Sequence, residues 1–141
     1  MVIYVRKDHP IGFRNLASLR GKRIGVVRGW SYGRAFDRMR ADGEFWADEA
    51  ASDAVNFRRL VVMEEIDCVL AAETAGEILI RKLGYDELIV REHVPFGFLD
   101  VHVVSAKKAN KKDIVRRFDA SLEKMKSDGT YRRLVGRFLG R

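Results

Sequence analysis

The chain has 141 residues, the length of one domain able to bury a real core. Its 27 basic and 20 acidic side chains leave a net charge of +7, which makes nucleic acid or an anionic surface a partner class to be weighed. The single cysteine, Cys68, excludes an internal disulfide and a cysteine-rich metal site, and no window is apolar for the length of a membrane span or a signal-peptide core.

In chain order, residues 2–5 read as a short strand and 9–20 as a loop with a helical turn that ends at Gly21. Residues 24–27 form a buried strand that runs into Arg28-Gly29-Trp30-Ser31-Tyr32-Gly33 and then a helical pattern over 31–41. Tyr32, Ala35, Phe36 and Met39 make the apolar side of that helix, and Asp42-Gly43 stops it. A short strand is expected at 44–47. Ser52 is placed to cap a helix through about Glu64 that buries Val55, Leu60 and Met63. Residues 66–71 are near-continuously apolar, the form of a strand covered on both faces, with Cys68 as a buried inert thiol. Thr74 or Glu73 opens a further helix ending at Gly84, and strands follow at 88–90 and 101–104.

The alternation of strands and helices with short links predicts an α/β fold, three layers with a mainly parallel sheet. Two amphipathic helices trail it. Asn110 is placed to cap one carrying Ile114, Val115, Phe118, Leu122 and Met125; Thr130 is placed to cap the other, with Tyr131, Leu134, Val135, Phe138 and Leu139.

The chemistry-bearing stretch is 28–33. A strand turning tightly into a helix leaves the first helical amides unpaired at the positive end of the helix dipole, with Ser31 as N-cap. Such a junction offers a socket to a carboxylate or phosphate, and Trp30 and Tyr32 add aromatic surface beside it. The same residues also fit an ordinary helix start in an α/β domain. No catalytic residue, metal ligand or cofactor motif is evident. His9, His93 and His102 lack metal-ligand spacing, and no nucleophile has a base nearby. The tail is rich in cations from Lys107 to Arg141, yet Asp113, Asp119, Glu123 and Asp128 interleave with them. That is the composition of a solvated helix face, and it argues against nucleic acid as the partner.

Four segments, at 18–26, 29–32, 65–69 and 126–131, in this order and spacing together resemble the family 3 periplasmic solute-binding proteins of amino-acid-type ABC transporters. Ser18-Leu19-Arg20-Gly21-Lys22-Arg23-Ile24-Gly25-Val26 resembles the family's "sLkGkkigv" start of its second lobe, and Gly29-Trp30-Ser31-Tyr32 the glycine–hydroxyl turn after it. Glu65-Ile66-Asp67-Cys68-Val69 resembles the "GriDav" strand, with Glu65 in place of glycine-arginine. Lys126-Ser127-Asp128-Gly129-Thr130-Tyr131 resembles the link between the last two helices. The resemblance implies a single lobe over 1–105, with crossover strands near 3–7 and 102–105, and a helical pair over 106–141 that packs on the first lobe in relatives. Most of that first lobe, with the arginine that grips a ligand carboxylate, is missing. The chain then reads as a truncated binder, a degenerate product or half of an exchanged dimer.

By the same resemblance the ligand-binding residues are Arg28, Gly29, Trp30, Ser31, Tyr32, Glu73 and Thr74, and the ligand is a small polar or anionic solute such as an amino acid or carboxylate. The acidic residue that holds an amino group in relatives falls at Ala72, with Glu73 one position later. Implied partners are an ABC permease and a second copy exchanging its C-terminal helices; the implied location is the periplasm. The alternative function is a nucleic-acid-binding or regulatory effector-binding domain using the basic tail.

Overall fold

Strands β1 (Val2–Arg6), β2 (Arg23–Val27), β3 (Trp46–Ala50), β4 (Cys68–Ala71) and β5 (Ile89–Arg91) form one sheet in the order β3-β2-β4-β1-β5. The computed structural model describes residues 1–97 and 102–139. Contacts divide the chain into two units, Met1–Leu99 and Asp100–Arg141, and the sheet belongs to the first. Helices α1 (Arg34–Ala41), α2 (Asp53–Val61) and α3 (Glu73–Leu83) follow β2, β3 and β4. The fold is α/β in three layers.

Strand alternation sends side chains to two cores. On one face Ile3, Val5, Ile24, Val26, Cys68 and Leu70 meet Phe36 of α1 together with Phe13, Leu19 and Phe45. On the other, Val2, Tyr4, Val69 and Ala71 meet Phe57 and Leu60 of α2 and Ile80 of α3. All four residues of β4 are buried, as its unbroken apolar run predicts for a central strand. Cys68 is fully buried, and that burial pushes its thiol well above the ordinary range.

The sheet is mixed. β2 pairs in parallel with β3 and β4, whereas β1 is antiparallel to both β4 and β5. The sheet is mainly parallel as expected, with β1 alone reversed among its strands because it enters at the opposite end, with Val2 facing Ala71. β5 therefore points the same way as β4, and four of the five strands end at one edge.

Several boundaries differ from expectation. β3 begins at Trp46, α2 ends at Val61, and Val55 and Met63 are exposed, since α2 turns Asn56, Phe57 and Leu60 inward instead. Ala35 is exposed too, because only Phe36 of α1 is fully buried. Ser52 does cap α2, accepting from the Val55 amide at 3.4 Å. α3 begins at Glu73 and ends at Gly84 in the left-handed region. The strand expected at 101–104 is not present in its described part: 102–106 is irregular, and Val101 lies outside the described residues.

The second unit holds α4 (Lys112–Ser127) and α5 (Thr130–Leu139), joined through Gly129 at φ 79°. Asn110 does not cap α4; it sits in the left-handed region two residues earlier, and Lys111 takes the cap position without a side-chain bond. Thr130 lies inside α5, and its amide donates to Asp128 Oδ1 at 2.9 Å. No side chain of α4 is buried, and Arg141 and the Leu139 side chain lie outside the described residues.

Two predictions follow from the packing. A Cβ at Gly76 in α3 would come within 2.5 Å of the Tyr4 ring, which is buried edge-on against Phe57 at 5.4 Å. Gly76→Ala gains about 1 kcal/mol of helix propensity, but overpacking a rigid ring costs about 1–3 kcal/mol. A lowered urea midpoint is expected. Between the sheet and α2, Asp48 of β3 accepts from Arg59 of α2 at 3.0 Å and from Arg23 of β2 at 3.1 Å. Burial opposes ionisation of Asp48, but these hydrogen bonds outweigh it and hold the carboxyl below its usual range. A carboxyl lowered on folding contributes stability that is full above its unfolded value, about 3.9, and lost as pH falls through the folded one. Urea midpoints taken from neutral to acid pH should fall less steeply for Asp48→Asn than for the parent chain.

Candidate functional site

The carboxyl edge of the sheet has a reversal point. The chain leaves β2 through α1 to reach β3 on one side, then returns through α2 to β4 on the other. α1, which follows β2, and α3, which follows β4, pack on opposite faces, so the segments after these two strands diverge, as they do at the usual ligand position of open α/β sheets. Residues 28–33 and 72–74 flank it. The start of β1 and the segment after β5 reach the same edge, where the Phe96 amide donates to the Met1 carbonyl at 3.1 Å.

The loop 28–33 is wider than the sequence predicts. Gly29 and Gly33 have φ of 77° and 102°, and these two left-handed positions let the chain turn before the helix starts. Ser31 is therefore not the N-cap; Gly33 occupies that position, and α1 begins at Arg34. The Ser31 hydroxyl instead donates to Asp37 Oδ2 at 2.6 Å, and the Tyr32 amide donates to Asp37 Oδ1 at 3.4 Å. The Gly33 amide donates to Ser31 Oγ, also at 3.4 Å. The protein's own carboxylate thus covers the donors expected to be open at 31 and 32.

The socket moves forward by one turn. The first bond within α1 runs from the Asp37 amide to the Gly33 carbonyl at 2.9 Å, which leaves the amides of Arg34, Ala35 and Phe36 without a helical acceptor. A cavity of about 310 Å³ opens there, lined by Ser31, Tyr32, Gly33 and these three residues, with Leu16, Met1, Phe96 and Gly97 opposite. Tyr32 anchors its wall: the ring is buried against Phe36 at 5.3 Å, and its oxygen accepts from the Val27 amide at 2.8 Å. Burial also pushes the Tyr32 phenol above its usual range, so it stays neutral.

The other expected residues are divided between neighbouring places. Gly29 and Trp30 line a separate hollow of about 470 Å³ with Ser31, Asp37, Arg40 and Glu49, and Trp30 is half exposed. Arg28 does not line that hollow; it pairs with Glu49, which does, at 3.7 Å. Glu73 opens α3 at the same sheet edge, but its carboxylate is held by Arg91 and its carbonyl accepts from Tyr4 Oη at 2.8 Å. Thr74 is exposed. Neither Glu73 nor Thr74 lines the cavity. His9 and His102 are exposed, and among the described residues no group of acids, histidines or cysteines is placed to hold a metal.

Asp37, Phe96 and Gly97 were not expected at the site. Asp37 stands six residues after Ser31, outside any capping spacing, and reads as the polar side of a helix. Phe96 and Gly97 follow a proline turn and reach the cavity only through the register of β5 on β1.

No family model and no curated protein matches the chain. Solved structures do match. An ancestral arginine-binding protein bound to glutamine superposes with a TM-score of 0.72 at 20% identity, over 99% of this chain and 59% of its own. AbpA, an amino acid ABC transporter substrate-binding protein from Streptococcus pneumoniae bound to L-arginine, gives 0.71 at 16%, over 99% and 56%. A mutant of ArgBP from T. maritima gives 0.70 at 18%, over 99% and 57%.

The fold is that of a periplasmic-binding-protein lobe. The chain spans between 56 and 59% of the length of these three structures. In this lobe the wall of the cavity depends on Tyr32. Tyr32→Phe leaves the Val27 amide without its acceptor, at a cost of about 1 kcal/mol. Chemical denaturation should register that loss while the far-ultraviolet circular dichroism spectrum stays that of the parent.

Proposed function

We propose that this chain is a truncated or single-lobe relative of the ABC transporter solute-binding proteins and takes a small polar or anionic solute at the mouth formed by residues 31–36. The observation that carries this reading is the position of the cavity. It opens at the start of α1, on the edge where four strands end and where the chain reverses direction in the sheet. The superposition over nearly the whole chain on proteins that hold arginine or glutamine supports the same reading.

The ligand's acidic group faces the amides of Arg34, Ala35 and Phe36, with the Arg34 guanidinium beside them. Asp37 competes for Ser31 and Tyr32, which explains why the preferred ligand contacts lie one turn into the helix. With Glu73 held by Arg91, this edge offers little to a ligand ammonium, so carboxylates without an amino group are favoured over α-amino acids. The role is binding and not catalysis. Closure of a second lobe over the ligand, delivery to an ABC permease and residence in the periplasm complete the proposal.

One jaw supplies only part of the contacts, so the isolated chain binds weakly. Titration with a panel of carboxylates and amino acids, followed by amide chemical shifts, should give millimolar-range binding with changes centred on residues 31–36 and Gly97. Sub-micromolar affinity by calorimetry, or changes centred elsewhere, overturns the single-jaw reading.

The C-terminal helices extend the proposal. Ile114, Phe118, Tyr131, Leu134 and Phe138 keep an exposed apolar stripe on α4 and α5, and two copies of the chain exchange these helices to cover it. Light scattering should show a dimer as concentration rises. A monomer at high concentration whose α4 and α5 amides resist hydrogen exchange overturns this part.

A further inference from the structure

Among the described residues, Asn56 is the one fully buried polar side chain, and neither its Oδ1 nor its Nδ2 finds a hydrogen-bond partner among protein groups. Asp53 Oδ1, one turn earlier on α2, is buried and unpartnered in the same way. Residues three apart share a helix face, so Asp53 and Asn56 stand on one side of α2, the side on which Asn56, Phe57 and Leu60 are buried.

The sheet beneath is shaped for this amide. Gly25 of β2 has no side chain, and a Cβ built there would stand 3.0 Å from Asn56 Cγ and Oδ1 and 2.6 Å from Ile66 Cδ1. The Asn56 side chain therefore rests on the Gly25 backbone. The strands on either side already use that part of the ladder, since Gly25 is in register with Asp48 and Val69.

Leucine has the branching and the number of side-chain heavy atoms of asparagine but brings no polar atoms, so an apolar residue at this place would leave no donor or acceptor dry. Buried polar groups are almost always satisfied, by protein or by ordered water. A metal cation meets the two oxygens but not the Asn56 N–H groups, which need an acceptor. Water both donates and accepts, and an internal water is held by two to four polar partners of this kind.

We propose that α2 is docked on β2 through internal water, bound by Asp53 Oδ1 and the Asn56 carboxamide. The water accepts from Asn56 Nδ2 and donates to Asp53 Oδ1 or Asn56 Oδ1. It supplies the polar contact that the sheet, with its ladder complete, does not. Burial alone raises the Asp53 carboxyl above its usual range, and a donor from water at Oδ1 offsets part of that desolvation.

Neither Asp53 nor Asn56 lines the cavity at residues 31–36. A high-resolution crystal structure of the parent chain should show ordered water within hydrogen-bond distance of Asp53 Oδ1 and an Asn56 heavy atom. In solution, water–protein Overhauser effects should reach the Asn56 side-chain amide and disappear in Asn56→Leu. A dry contact between Asp53 and Asn56, or an Asn56 amide with no water Overhauser effect, overturns the proposal. If Asn56→Leu does not fold, the parent crystal structure and the parent Overhauser measurement decide it alone.

Discussion

Strand β4 has a parallel neighbour on one side and an antiparallel neighbour on the other, and both pairings are needed for the site to exist. The parallel pairing with β2 brings the loops at 28–33 and 72–74 to one edge. The antiparallel pairing with β1 returns the first residues of the chain to that edge, and β5 then carries Phe96 and Gly97 there. Reversal of either pairing would leave the start of α1 facing solvent with no opposite wall. Because all four residues of β4 are buried, this arrangement is set by the strongest apolar contacts in the lobe.

Chemistry at the edge is largely internal. Three acids along this edge have partners: Asp37 holds Ser31 and the Tyr32 amide, Glu49 lies between Arg28 and Arg40, and Glu73 meets Arg91. Exposed pairs of this sort contribute little to stability, typically below about 1 kcal/mol each. They engage the acids along this edge, while the set of first-turn amides of α1 is left without a helical acceptor.

The apolar surroundings complement that set. Tyr32, Phe36 and Phe96 bring rings to the cavity, and Phe36 contacts Phe96 edge-on at 5.6 Å. The cavity is thus continuous with the core on the α1 face, and any change in the packing of Phe36 or Phe96 is felt at the mouth.

Much of this protein could be read from its sequence because the signals are local. Apolar runs at 24–27 and 66–71 mark strands, Ser52 marks a helix start, and Gly84 marks a helix end. These depend on a few neighbouring residues, and the structure keeps them. The alternation of elements was likewise enough for the fold class, and short motifs pointed to the lobe that solved structures resemble. Other features required the tertiary structure. The reversed direction of β1 depends on pairing between residues about seventy positions apart, for which no periodicity in the chain provides a sign. The shift of the helix start from Ser31 to Arg34 depends on two glycine dihedrals and on Asp37 reaching back across a turn. The capture of Glu73 by Arg91 depends on β4 and β5 both flanking β1. Local sequence specifies what each segment is; only the folded chain decides which donors at the edge are already satisfied, because those partners come from distant strands.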